Sequence, residues 1–122
     1  MDESSDLAQN RTVTVLKIHG YVERVMAQQV ECLFDAAFAS GCFRIVVDLS
    51  ETDYLSSSGW GMFIGEIKRV REGGGDIILA AMRPGVLEIF ELLEFNRVLR
   101  HYDSVDEAVH AFEPEDQSAA FS

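Results

Sequence analysis

The sequence predicts a single α/β domain with a mostly parallel or mixed β-sheet of four to five strands and about four helices. Apolar, β-branched runs that are typical of strands alternate with segments whose apolar residues recur every three or four positions. The chain has 122 residues, 48% of them apolar, which suits one buried core rather than two. We expect the domain at 11–112, between a flexible or edge-strand segment at 1–10 and an acidic flexible tail at 113–122.

The first half of the chain holds two predicted strands and one predicted helix. Residues 12–20, TVTVLKIHG, alternate apolar with polar side chains, as a half-buried strand does. Residues 42–50, CFRIVVDLS, form a nearly continuous apolar, β-branched run, which indicates a strand covered on both faces. Between them, residues 21–40 are expected to form a helix with one buried face. The side chains of that face are Val22, Met26, Val30, Leu33 and Ala37.

The second half of the chain continues the alternation. Glycines end one predicted helix, a proline suits the first turn of the next, and a capping box opens the last. The expected elements are a helix from Gly59 to about Glu72, a strand at 76–81, a helix from Pro84, a short strand at 97–102 and a helix from Ser104 to Phe112.

Composition narrows the classes of function. The formal net charge is -11, with 10 basic against 21 acidic side chains, and such a chain repels nucleic acid and anionic membranes. No apolar run approaches the roughly 20 residues of a membrane span, and the acidic start does not resemble a signal peptide, so we expect a cytoplasmic protein. Cys32 and Cys42 are expected to be small buried hydrophobes. His19, His101 and His110 do not cluster with them in sequence, so neither a metal site nor a cofactor is predicted.

Residues 55–61, LSSSGWG, form the most distinctive segment, because three serines precede two glycines that bracket the only tryptophan. In a parallel α/β domain, loops that follow the carboxyl ends of strands carry function. A serine here can cap the next helix, which stabilises it by about 1 kcal/mol, and Ser58 is the expected cap. One cap needs one serine, so a structural role alone explains the segment only in part.

Two other interpretations of this segment meet chemical obstacles. A nucleophilic serine would need a glycine two positions before it and a placed base, and none of the three serines has that glycine. Gly59, Gly61 and Gly65 are spaced one residue too widely for the dinucleotide fingerprint, so Gly61 and Gly65 are expected to allow close packing of helix on sheet. A phosphate at a helix N-terminus, by contrast, is compatible with the fold and would disrupt a docked partner.

The order of these motifs resembles the STAS domain, and in particular the stand-alone bacterial anti-sigma factor antagonists, over about residues 12–112. Residues 13–20 look like the opening strand of that family. Residues 46–82, which include DLSETDYLSSSG, are similar to its central signature, Asp-Leu-Ser followed by Asp-Ser-Ser-Gly. Residues 86–112 resemble its C-terminal helix, strand and helix.

The resemblance implies a switch at this loop. In that family, a partner anti-sigma factor of the histidine-kinase-like ATPase type phosphorylates the first serine after the motif aspartate, a serine phosphatase reverses the modification, and only the unphosphorylated domain binds the partner. By position, Ser57 is the implied acceptor, Ser58 the second serine and Gly59 the motif glycine. Ser56 takes the place of the aspartate, and Glu23 that of a second acid in the loop after the first strand.

These departures leave alternatives open. Glu23, Asp48 or Asp53 could supply the missing acid next to the acceptor. Alternatively, the domain is an unphosphorylated scaffold subunit of a lipid-transport or stress-sensing complex, or a sensor that binds a nucleotide or anion at the helix N-terminus. Trp60 suits either the core or the partner surface. The residues assigned to the motif and to partner binding are Ser56, Gly59, Trp60, Gly61, Glu23, Asp48, Met82 and Arg83.

Overall fold

The computed structural model describes residues 12–112, in which four strands alternate with four helices. All strand pairs are parallel, and the sheet order is β1-β2-β3-β4. The predicted α/β class is thereby confirmed, whereas the predictions for 1–10 and 113–122 lie outside the described residues. In chain order the elements are β1 Thr14–Val22, α1 Arg24–Ala39, β2 Arg44–Leu55, α2 Ser57–Glu72, β3 Asp76–Ala80, α3 Pro84–Leu92, a 3₁₀ turn Phe95–Arg97, β4 Arg100–Tyr102 and α4 Val105–His110.

The sheet carries one core on each face, because its central strands are apolar on both sides. On one face, side chains of β2 and β3 such as Val47 and Leu79 pack with Phe34 of α1, Phe63 of α2 and Phe90 of α3. On the other face, a smaller cluster is formed by α4 and the outward side chains of β2 and β3. Its buried members are Val46, Ile78, Ala80, Ala108 and Phe112. Among the described residues, no helix is long and apolar enough to cross a membrane.

The predicted buried face of α1 is confirmed at Val30 and Ala37 and wrong at Leu33. Leu33 is 46% exposed, whereas Phe34 is fully buried. Leu33 and Phe34 lie three and four positions after Val30, so helical spacing alone does not distinguish them. Val22 is buried as well, but it belongs to β1, because α1 begins only at Arg24. Cys32 is exposed as well, which contradicts its expected burial, while Cys42 is buried as predicted.

Strand β2 is longer than its apolar run indicates. It continues past Ser50 to Leu55, although residues 50–54 are mostly polar. Pairing with the edge strand β1 extends it: register shifts let the two strands stay paired as far as Leu55, and the Thr52 hydroxyl donates to the Ile18 carbonyl at 2.8 Å. Strand β2 therefore delivers the chain directly to the first residue of α2.

Candidate functional site

The serine segment lies at the carboxyl edge of the sheet, where three helices begin. Strands β1, β2 and β3 are parallel, and each is followed within a few residues by the first turn of α1, α2 or α3. The partial positive charges of the three helix N-termini therefore point toward this edge. We call the surface formed by the first turns of α1 and α2 and the strand ends before them the switch edge; it comprises residues 21–25 and 54–61.

Ser56, not Ser58, caps helix α2, so the expected cap and the expected start of the helix at Gly59 are both wrong. The Ser56 hydroxyl accepts a hydrogen bond from the Gly59 backbone N–H at 3.4 Å. The Ser56 carbonyl accepts from the Trp60 N–H at 3.0 Å, and the Ser56 N–H donates to the Val22 carbonyl at 2.9 Å. Ser56 thus ties the start of α2 to the end of β1.

Ser57 and Ser58 are the first two residues of α2, and both are exposed. The first N–H groups of a helix have no intrahelical acceptor, and the cap supplies one only for Gly59. The two hydroxyls consequently stand beside backbone donors at the positive end of the α2 dipole. A phosphate on either of them would be compatible with the local electrostatics.

The glycines of the segment have different roles. A side chain at Gly59 would place its Cβ 3.0 Å from Leu55 Cδ2 and 3.2 Å from the Val22 carbonyl oxygen, so the start of α2 lies close against β1. At Gly61 and Gly65 a Cβ would meet no atom within 4 Å. The close packing expected at Gly61 and Gly65 is therefore wrong, and Gly61 instead leaves an open space beside Ser58.

Trp60 belongs to the core. It is only 4% exposed, and its ring lies 5.1 Å from that of Phe95 and 6.0 Å from that of Phe90. Its indole N–H has no hydrogen-bond partner among the described residues. Of the two roles left open for Trp60, the structure supports the anchoring of α2 and not a contact surface.

The three candidate acids differ in how they are engaged. Asp48 accepts a hydrogen bond from the Ser50 backbone N–H at 3.0 Å, and Asp53 forms an ion pair with Arg83. Glu23 precedes the first residue of α1, is exposed, and makes no side-chain cap bond to that helix. Of the three carboxylates, that of Glu23 is the one that forms neither a hydrogen bond nor an ion pair with another described residue.

Arg83 and Met82 are committed to the fold. Ala81 has a left-handed backbone, φ 59°, which turns the chain from β3 toward α3 at a small cost in strain. Arg83 then donates from Nε to the Ser50 carbonyl at 2.8 Å and pairs with Asp53, while Met82 is half-buried against the main core. The guanidinium of Arg83 therefore braces the second half of β2, just before the segment 55–61.

Sequence patterns missed an aromatic pair at the switch edge. Tyr21 and Tyr54 are partners in the β1–β2 register and lie 6.2 Å apart, centroid to centroid. They are 65% and 47% exposed, and Val25, at the start of α1, is 66% exposed. Contiguous exposed apolar side chains on a small domain indicate an interaction surface. The signal was available, since Tyr54 immediately precedes the segment 55–61 and Tyr21 directly follows the glycine that ends the first predicted strand.

One carboxyl in the described structure has a clearly perturbed pKa. Burial raises the pKa of Glu66, on the face of α2 toward α1, against the opposing effect of Arg69. The Arg69 guanidinium lies 3.1 Å from Glu66 Oε1 and 3.0 Å from Asp35 Oδ1 of α1. This group lies away from the serines and couples the two helices. No group of three or more His, Cys, Asp or Glu residues within 12–112 could hold a metal ion.

Comparisons with known proteins agree with this architecture. The STAS domain family model matches residues 4–108. The sequence is 32% identical over 95 residues to BtrV of Bordetella bronchiseptica, named as an anti-sigma factor antagonist, an alignment that covers 78% of this chain and 82% of that protein. It is 22% identical over 105 residues to the anti-sigma F factor antagonist of Paenibacillus polymyxa, which covers 85% of this chain and 90% of that one.

Solved structures show the same fold. A Thermotoga maritima protein named as an anti-sigma factor antagonist superposes with a TM-score of 0.77 at 22% identity, over 83% of this chain and 87% of the other. The anti-sigma factor antagonist SpoIIAA in its unphosphorylated form gives a TM-score of 0.64 at 19% identity, over 90% and 92%. The phosphorylated form of SpoIIAA, a Bacillus cell fate determinant, also gives 0.64, at 18% identity, over 84% and 92%.

Proposed function

The chain belongs to the STAS domain family, and we propose that it acts as an anti-sigma factor antagonist that is controlled by phosphorylation of Ser57. In this proposal the chain is a regulatory binding module without catalysis of its own. Its unphosphorylated form binds a kinase-type anti-sigma factor, which then releases its sigma factor. The partner supplies ATP and Mg²⁺, and a serine phosphatase restores the binding form.

The observation that carries the proposal is the position of Ser57. Its hydroxyl is exposed on the first residue of α2, at an edge where three parallel strands end and three helices begin. A kinase can reach such a hydroxyl without unfolding the domain, and the helix dipole tolerates the added charge. The relatives named as anti-sigma factor antagonists align over 95 and 105 residues, and they support the proposal that this chain has the same role.

The switch follows from the difference between the free and the bound domain. On the free domain, a phosphate on Ser57 stays hydrated, so the fold changes little. Against a docked partner, the same dianion would be buried without a counter-charge, which costs several kcal/mol. Because each 1.4 kcal/mol is a factor of about ten in affinity, one phosphate is sufficient to release a micromolar complex.

Glu23 is the acid we assign to the acceptor. The carboxylates of Asp48 and Asp53 are occupied by Ser50 and Arg83, and Ser56 is occupied by the cap. Glu23 lies in the loop that enters α1, next to the loop that enters α2, and Val22 before it is bonded to Ser56. We propose that it orients the Ser57 hydroxyl or takes its proton.

The experiment that tests the proposal is intact-mass measurement after incubation with the candidate anti-sigma factor and Mg-ATP. We expect one added phosphate, located on Ser57 by peptide fragmentation, and none in a Ser57→Ala variant. Ser104→Ala is the matched control, because Ser104 caps α4 as Ser56 caps α2 and its loss leaves the switch edge intact. Phosphate on wild type and on Ser57→Ala alike would contradict the assignment, and no phosphate on either would favour the unphosphorylated scaffold.

A further inference from the structure

The groove between α1 and α2 beside Ser58 contains Arg24, which forms no ion pair or hydrogen bond with another described residue. The groove measures about 310 Å³ and is lined by Arg24, Gln28 and Glu31 of α1 and by Ser58 and Gly61 of α2, among others. It is open because Gly61, one turn after Ser57, has no side chain and a Cβ there would meet nothing within 4 Å.

Arg24 is exceptional among the basic residues of the described chain. Of the nine Lys and Arg side chains within 12–112, only Arg24 and Lys68 make neither an ion pair nor a hydrogen bond with another described residue. Glu31, which lines the same groove, is not within ion-pair distance of it. Arg24 thus keeps its full hydrogen-bonding capacity at the switch edge.

The position of Arg24 also costs the fold stability. It is the first residue of α1, where the helix dipole favours an acidic side chain and disfavours a cation. No ion pair or hydrogen bond with another described residue compensates for that cost. A charged residue at a position that is unfavourable for folding, and that no ion pair or hydrogen bond offsets, is a candidate for a functional role.

We propose that the groove is a phosphate-binding site of the domain, in which Arg24 binds a phosphoryl group carried by Ser58. The Ser58 side chain lines the groove with Arg24, whereas Ser57 does not line it. A guanidinium presents a planar pair of N–H donors that matches two oxygens of a phosphate. A phosphate on Ser58 is therefore held against the domain, while a phosphate on Ser57 is presented to the partner.

The two serines of the motif are accordingly not equivalent. The inference rests on the proposed function only for the kinase that would supply the phosphoryl group. It adds a second phosphorylated form of the switch edge, in which Arg24 compensates the charge of a phosphate on Ser58. Such a state changes the charge and shape of the groove between α1 and α2 without placing an unpaired dianion in front of a partner.

The test uses protein with phosphoserine installed at position 58 during synthesis, so that its outcome is independent of any kinase. Phosphorus NMR then follows the second ionisation of the phosphate, whose pKa is about 6 in a free phosphoserine. A nearby guanidinium favours the dianion, and we expect this pKa to fall by about one unit or more. Arg24→Gln is expected to remove the shift, and Arg24→Lys to retain part of it.

Two controls make the test specific. Lys68→Gln removes the other unpaired cation, on α2 itself, and is expected to leave the phosphate pKa of the Ser58-modified protein at its wild-type position. Protein with phosphoserine at 57 instead of 58 is expected to respond little to Arg24→Gln. The proposal is overturned if the Ser58-modified wild type and its Arg24→Gln variant titrate together, or if the phosphate on Ser57 responds to Arg24→Gln as strongly as that on Ser58. Failure of the proposed function, by contrast, would show as an unmodified Ser57 in the kinase assay.

Discussion

The two ends of the parallel sheet are built in opposite ways. At the amino ends of the strands, the turn at 73–75 packs against Phe43 so tightly that a Cβ on Gly75 would lie 1.7 Å from the Phe43 carbonyl oxygen. There the Asp76 carboxylate is also bound by Arg71 at 3.1 Å and Arg100 at 3.4 Å. At the carboxyl ends, the switch edge exposes two serines, two tyrosines and Arg24, which has no ion-pair or hydrogen-bond partner among residues 12–112.

Under the proposed function, this difference assigns stability to the amino ends of the strands and binding to the switch edge. The closed end, at the amino ends of the strands, holds them in register with close packing and ion pairs. The open end, which is the switch edge at the carboxyl ends of the strands, leaves its polar groups and aromatic rings exposed to solvent. Substitutions at the closed end are therefore expected to affect unfolding, and substitutions at the open end to affect binding.

The largest effect is expected from Gly75→Ala. The added Cβ would collide with backbone atoms of Phe43, so the turn must move, and we expect a loss of about 3 kcal/mol or more in the free energy of unfolding. Urea denaturation measures it. Wild-type stability in this variant would show that the closed end is not tight and would remove the contrast between the two ends.

A smaller loss is expected from Asp76→Ala. Besides the two arginines, the Asp76 carboxylate accepts from the Ile77 backbone N–H at 2.9 Å, and its removal is expected to cost about 1–2 kcal/mol. The matched change at the open end is Asp53→Ala, which breaks the exposed pair with Arg83 and is expected to cost about 0.2–1 kcal/mol. If both variants lose the same stability in urea, the ion pairs of the two ends do not differ.

A gain is expected from Gly61→Ala. The position lies inside α2 and a Cβ there has open space, so alanine removes the entropic cost of glycine in a helix and is expected to add about 0.5–1 kcal/mol. Thermal and urea unfolding report the change. A loss of stability would show that α1 and α2 are packed more closely here than the groove indicates.

The smallest effect is a dependence on pH, centred on Glu66. Because burial raises the pKa of Glu66 above its ordinary value of 4.5, the folded chain binds this proton more tightly than the unfolded chain. Its contribution is fully present below the unfolded pKa and is lost as the pH rises through the higher folded pKa. Glu66→Gln is therefore expected to gain stability relative to wild type as the pH rises above 4.5.

The control for that change is Glu72→Gln, which alters the net charge equally at an exposed position near the end of the same helix. Its stability difference from wild type is expected to vary less with pH than that of Glu66→Gln. Parallel curves for wild type and Glu66→Gln would contradict the assigned role of Glu66.

The sequence predicted the order of the elements because apolar periodicity and turn residues are local signals. Pro84 and the capping serine Ser104 start helices where expected. It did not predict the length of β2, since the polar residues after Ser50 are held in the strand by pairing with β1, a contact between distant segments. Leu33 was assigned to the core face in place of Phe34 because both fit the helical spacing from Val30.

The sequence predicted that the serine segment lies at the carboxyl ends of the strands, but it did not predict which role each serine has. Three serines in a row do not reveal which one caps the helix, because that depends on where β2 ends. The structure gives the cap to Ser56, so the position of the missing aspartate has a structural role of its own. A single sequence does not show which residues become neighbours in space. It therefore could not show that Arg24 has no ion-pair partner among the described residues, or that Tyr21 and Tyr54 are exposed.

The central claim is that Ser57 controls binding at the switch edge, and its most direct test is the affinity of the anti-sigma factor partner for the chain before and after phosphorylation. Isothermal titration calorimetry is expected to show binding of the unphosphorylated chain and of Ser57→Ala, and an affinity about 100-fold or more lower when phosphoserine occupies position 57. Equal affinity of the partner for the unphosphorylated and the Ser57-phosphorylated chain would contradict the account.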